Sequence, residues 1–136
     1  MIPTVRLDHV AIATAEPATL KRLFALIGLT DGGTEAVPSQ GVLTHFQRLA
    51  PEASAIELLE PTDPQGTVAQ FIAKKGPGIH HLCFRVPDVN ALCEKLRKEQ
   101  IRLIYDAPQP GAHGALVNFI HPASAGGVLI ELSQKG

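Results

Sequence analysis

The chain has 136 residues, is 45% hydrophobic, and balances 12 Lys+Arg against 13 Asp+Glu for a net charge of −1. A chain of this size buries roughly two-thirds of its unfolded surface without help from disulfides, and its apolar content excludes disorder. The even charge gives no basis for binding nucleic acid or an acidic membrane, and no apolar run reaches the roughly 18 residues that span a bilayer. The opening MIPTVRLDHV lacks the apolar stretch of an export signal, so a reducing cytoplasm is the expected location. Cys83 and Cys93 do not form a CxxC pair and read as small buried hydrophobes.

LDHVAIAT, starting at Leu7, alternates as a short strand. Leu20, Leu23, Phe24 and Ile27 then recur at helical spacing, with Pro17 suited to the first turn and Gly28 to the end. Leu29 opens the return into a strand, and further strands are expected over about 41–48 and 54–60. Thr67 to Lys75 reads as a linking helix with Val68, Phe71 and Ile72 inward, ended by the glycines of GPG at 76–78. IHHLCFRV, from Ile79, is a second alternating strand. Val89, Leu92, Cys93 and Leu96 repeat the helical spacing, and Ile101 opens strands expected at 102–105, 115–120 and 128–133. The turns APQPGAHG and HPASAGG separate them.

This order repeats itself. His9 and His81 occupy the third position of two similar strands 72 residues apart, and Glu57 and Glu131, in AIELLEP and LIELSQ, lie 74 apart. Each part reads strand, helix, then about three strands. The expected organisation is a single domain over residues 1–136, with one module at about 5–62, the linking helix at about 67–75, and a second module at about 78–136.

Strand alternation puts His9 with Ala11 and Ala13, away from Val10 and Ile12. It puts His81 with Cys83 and Arg85, away from Leu82, Phe84 and Val86. The more apolar set should cover the helix, leaving the histidine face to line a second surface. If the modules are related by a pseudo-twofold axis, His9, Glu57, His81 and Glu131 meet as a cluster of two imidazoles and two carboxylates. These are ligands for one divalent metal ion, and with no soft donor among them Co, Zn, Ni and Mn all suit the set. Positions left open for water or substrate suit catalysis better than a closed structural site. His80 should point the other way, and His45, His113 and His121 have no repeat partner.

LDHVAIAT, IELLEP, GIHHLCFRV, GAHG, NFIHP and GGVLIEL together resemble the methylmalonyl-CoA epimerases of the vicinal oxygen chelate superfamily, which includes glyoxalase, bleomycin-resistance and dioxygenase proteins. The likeness spans nearly the whole chain and is densest from Gly78 to Glu131. It implies an α+β fold of two repeated βαβββ modules forming a cupped mixed sheet around a metal site, with His9, Glu57, His81 and Glu131 as the ligands. It also implies a homodimer and an acyl-CoA substrate whose C2 centre is inverted. A metal on the thioester oxygen would stabilise the enolate, while a base on one face of C2 and an acid on the other exchange protons. In that family one of these roles is ascribed to the last ligand carboxylate, here Glu131. The other is ascribed to a Glu three residues after the Gly of a QGV motif.

Here QGV is Gln40, Gly41 and Val42, but Thr44 stands at the Glu position, and a threonine hydroxyl is a poor base near neutral pH. His45 has a suitable pKa, yet alternation turns it to the opposite face unless a bulge intervenes. Two other readings compete with the epimerase. One is a glyoxalase I-type lactoylglutathione lyase, which needs a related enediolate. The other is a non-catalytic small-molecule-binding protein of the same fold.

Overall fold

The computed structural model describes residues 4–136. In chain order its principal elements are β1 (Arg6–Ala13), α1 (Pro17–Ile27), β2 (Thr30–Val37), β3 (Val42–Arg48), β4 (Ala55–Pro61), α2 (Thr67–Lys75), β5 (Gly78–Arg85), α3 (Val89–Lys98), β6 (Gln109–Pro110), β7 (Leu116–Ile120) and β8 (Ile130–Gln134). The βαβββ order therefore occurs twice, with α2 as the link at the expected residues. The chain divides into two compact units, His9–His80 and the described residues through Asp8 with His81–Gly136. No helix among the described residues is long and apolar enough to cross a membrane.

Within His9–His80 the strands run in the order β2–β3–β4–β1. β1 and β4 are parallel, with Ala11 opposite Glu57, whereas β3 is antiparallel to both β4 and β2. A parallel pair needs a long crossover, and α1 with β2 and β3 supplies it. α1 ends on Gly28, whose φ of +119° is the left-handed conformation that lets its N–H reach the Phe24 carbonyl, and the Leu29 N–H closes on the same oxygen. The buried residues of this unit sit mainly on strands, among them Ala11, Ala13, Val42, Leu58 and Leu59. Leu20 and Phe24 are partly covered, but Leu23 and Ile27 of the expected apolar stripe are exposed.

In the other unit the order is β5–β8–β7–β6, again with one parallel pair, β5–β8, and antiparallel neighbours. Here the helix does bury its stripe. Val89 and Cys93 of α3 pack with Val86 and Leu132, flanked by Leu92, Leu96, Leu116, Ile120 and Ile130. Asp88 caps the helix through the Ala91 N–H at 3.0 Å, and the Gln134 side chain accepts the Val89 N–H at 2.9 Å.

The strand expected at 102–105 is not formed. Leu103 makes only an isolated bridge to Ile120, and the edge strand is the two-residue β6. The buried Asn118 side chain explains the difference. It accepts from the Tyr105 N–H at 3.1 Å and donates to the Tyr105 carbonyl at 3.1 Å, satisfying the backbone groups that a ladder would otherwise pair. Pro108 and Pro110 further limit the ladder by removing two donors.

Candidate functional site

Both candidate histidines lie on strands whose alternation is as expected, but their face is the more enclosed one. His9, Ala11 and Ala13 are buried while Val10 and Ile12 are only partly so. On β5, His81 and Cys83 are buried while Leu82 and Phe84 are partly so. The histidine face is thus an interior surface, which is where imidazole needs a polar partner.

Each module provides that partner in the same way. In the first, Glu57 stands opposite Ala11, two residues beyond His9, and in the second Glu131 stands opposite Cys83, two residues beyond His81. This shared register makes each histidine and glutamate diagonal neighbours on one face of a parallel strand pair. His9 Nδ1 lies 2.9 Å from Glu57 Oε2. His81 Nε2 lies 2.9 Å from Glu131 Oε1. Glu131 is only 6% exposed, so protein partners such as this imidazole stand in place of water. Each pair offers an imidazole nitrogen and a carboxylate oxygen, hard-to-borderline donors that fit a divalent first-row ion and give no reason to favour copper(I) or another soft metal.

Two phenylalanines belong to the same pattern and were not singled out in the sequence. Phe46 on β3 stands opposite Glu57, and Phe119 on β7 stands opposite Glu131. They lie 73 residues apart, an offset between those of the His and Glu repeats that could have revealed them. The His81 ring meets Phe119 edge-on at 5.6 Å, a contact that helps fix the imidazole plane. Tyr105 lies edge-on to Phe119 at 5.9 Å. Burial, and secondarily the charge of Glu131, push its phenol above 10.0.

The remaining histidines have other partners. His80 packs edge-on against Phe71 at 4.9 Å, and His121 accepts the Ala123 N–H on Nδ1 at 3.0 Å. His113 is exposed in the loop before β7, at a φ of +56°. His45 bonds Glu60 at 2.9 Å, on the opposite face from Glu57. No bulge rotates it, because β3 and β4 stay in register from Val42 to Gln47. Thr44 does lie on the Glu57 face and is buried.

Known proteins carry the same architecture. A profile of the Glyoxalase/Bleomycin resistance protein/Dioxygenase superfamily matches residues 8–119. The ethylmalonyl-CoA/methylmalonyl-CoA epimerase of Cereibacter sphaeroides is 36% identical over 132 residues, 95% of this chain and 97% of that protein. The chain belongs to the methylmalonyl-CoA epimerase family. The crystal structure of the methylmalonyl-CoA epimerase from Mycobacterium tuberculosis superposes with a TM-score of 0.92 at 36% identity, covering 100% of this chain and 93% of that one. A Streptomyces coelicolor methylmalonyl-CoA epimerase variant in complex with 2-nitronate-propionyl-CoA superposes at 0.90 with 34% identity, covering 96% and 97%. The fold is therefore that of the methylmalonyl-CoA epimerases, two βαβββ modules with a mixed sheet, and the chain is an epimerase.

Proposed function

We propose that this epimerase interconverts the C2 stereoisomers of methylmalonyl-CoA, with His9, Glu57, His81 and Glu131 together holding one divalent metal ion. The observation that carries the reading is the duplicated His–Glu pair, built twice in one register on a chain of the epimerase family. In this reading residues 1–136 act as one domain, a homodimer in the cytoplasm. The substrate class follows from the relatives, which are named for 2-alkylmalonyl thioesters.

An ion held by His9, Glu57, His81 and Glu131 would supply Lewis-acid polarisation of the thioester carbonyl, which would make the C2 proton acidic enough to remove. Glu131 takes that proton, because it is a carboxylate on a buried face where little bulk water competes. The electron pair of the broken C–H bond passes into the thioester enolate. His81, whose ring meets Phe119 edge-on, is held beside Glu131, so that the two would reach the same ion. Re-protonation of C2 on its other face yields the second stereoisomer.

Deuterium uptake at C2 of methylmalonyl-CoA in heavy water, followed by NMR, tests the reading. Metal-loaded wild-type protein is expected to exchange C2 and interconvert the isomers. Folded, metal-loaded protein that leaves C2 unlabelled but forms thioester from methylglyoxal and glutathione would move the activity to the glyoxalase class. Metal analysis of His81→Ala gives an independent readout. The expected outcome is loss of the stoichiometric ion together with activity, by more than the roughly 10–100-fold typical of outer-shell changes.

A further inference from the structure

Inversion at C2 requires two proton-transfer groups, and Glu131 accounts for one. We propose that Glu35, on the edge strand β2, is the second. This assignment rests on the epimerase reading above.

The register of the first module carries the argument. Glu35 stands directly opposite Thr44, which stands opposite Leu59, and Phe46 one pleat along stands opposite Glu57. Residues directly opposite in neighbouring strands share a face. Glu35 is therefore on the same face as Thr44, Glu57 and His9, while His45 with its partner Glu60 is on the other. Burial agrees with the register, since Glu35 is partly covered whereas Thr34 and Ala36 on either side are exposed.

That orientation depends on a bulge. Asp31 pairs with Gln47 and Thr34 pairs with His45, so β2 carries one residue more than β3 across this stretch. The extra residue falls at Gly32–Gly33, where Gly33 adopts a φ of +88° that few other residues tolerate. Without it the residue opposite Thr44 would be Thr34, and Glu35 would turn to the outer face. The bulge that would have been needed in β3 to turn His45 inward lies instead one strand away, in β2, where it turns a carboxylate inward.

Two strand spacings and one two-residue rise put the Cα atoms of Glu35 and Glu57 roughly 12 Å apart. At that distance Glu35 is not a neighbour of Glu57, so it stands outside the proposed ligand set while sharing its face. The repeat sharpens the assignment. The second-module counterpart of Glu35 is Gln109, 74 residues later and opposite Val117, as Glu35 is opposite Thr44. Only one of the two edge positions therefore carries a group that can hold a proton, which is the number inversion requires. In one direction Glu131 removes the C2 proton, the C–H electrons enter the enolate, and protonated Glu35 delivers its proton to the opposite face of C2. In the reverse direction the two exchange roles, and solvent resets both.

The test follows each purified C2 stereoisomer separately in heavy water, with wild-type and Glu35→Gln protein. Glu35→Gln is expected to lose interconversion by 100-fold or more, consistent with removal of one acid–base group. It should still exchange the C2 proton of the one isomer that faces Glu131, with metal content and melting temperature unchanged. Glu35→Ala should regain interconversion when formate is added, a recovery that a purely structural role would not show. Interconversion by Glu35→Gln near the wild-type rate overturns the assignment. So does equal loss of exchange from both isomers. Wild-type protein that labels neither isomer overturns the epimerase reading itself, and this assignment with it.

Discussion

The two modules share the register of a His–Glu pair and differ in how they are held together. In the second, α3 fills the core, with Val89 fully buried, Cys93 at 1% exposure, and a side-chain cap from Asp88. In the first, α1 buries no residue completely, Glu16 makes no side-chain cap, and Leu26 is 76% exposed. The helix ends show the converse. Both close on the carbonyl five residues back, Leu29 on Phe24 and Ile101 on Leu96, but the first does so through Gly28 and the second through Gln100, which has a φ of +63°. What both modules retain is the strand register that aligns histidine, glutamate and phenylalanine. Site geometry is therefore a property of the parallel strand pair, and each helix is free to differ provided it completes the crossover.

The largest effect should come from breaking the equivalence of the two glutamates. Glu131→Gln removes a proton acceptor and should cut turnover by about 10²–10⁴ while the protein stays folded and retains some metal. If residue 57 is a ligand as proposed, Glu57→Gln leaves an amide oxygen able to coordinate, so turnover should remain within about tenfold of wild type. Steady-state rates and metal content measured side by side check both, and equal losses would mean that the modules share the chemistry.

Stability should divide differently. Leu58 is fully buried on the sheet of the first module, so Leu58→Ala should cost about 2–5 kcal/mol. Leu26→Ala, on the exposed side of α1, should stay within about 0.5 kcal/mol. Denaturant unfolding of the two variants decides whether the first module is stabilised by its sheet, as the burial indicates, or by its helix. A smaller contrast concerns the helix starts. Asp88→Ala should cost about 1 kcal/mol through loss of the bond to the Ala91 N–H, and Glu16→Ala should cost close to nothing.

The chain has a single tyrosine, which permits a direct titration. In metal-stripped protein, absorbance at 295 nm should place the Tyr105 midpoint above 10.0, and Glu131→Gln should lower it only part of the way, because burial is the larger cause. The neutral phenol is the form that the fold favours. The stability it contributes is present below the unfolded value of 10.0 and is lost as pH rises through the folded midpoint. The same titration of Glu57→Gln should show no change if the effect belongs to the second module alone.

Much of this was legible in the residues because strand parity and helical spacing are local. The period of two placed His9 with Ala11 and His81 with Cys83, and the period of 3.6 placed Val89, Leu92, Cys93 and Leu96 on one helix face. The duplicated His and Glu could be found because a repeat preserves offsets. Nothing local announced that the histidine faces would be the enclosed ones, that Asn118 would replace a strand at Tyr105, or that Leu23 and Ile27 would remain exposed. Those outcomes depend on which surfaces other strands and side chains cover.

The sequence by itself determined the two-module order, the helix link and the four candidate ligands, since each rests on spacing along the chain. Only the tertiary structure decided the pairing of His9 with Glu57 and of His81 with Glu131, the recruitment of Phe46 and Phe119, and the face to which Glu35 turns. The physical reason is that each of these depends on register between strands far apart in the chain. A single extra residue at Gly32–Gly33 reverses which side chains face inward, and no local preference encodes which strand lies opposite.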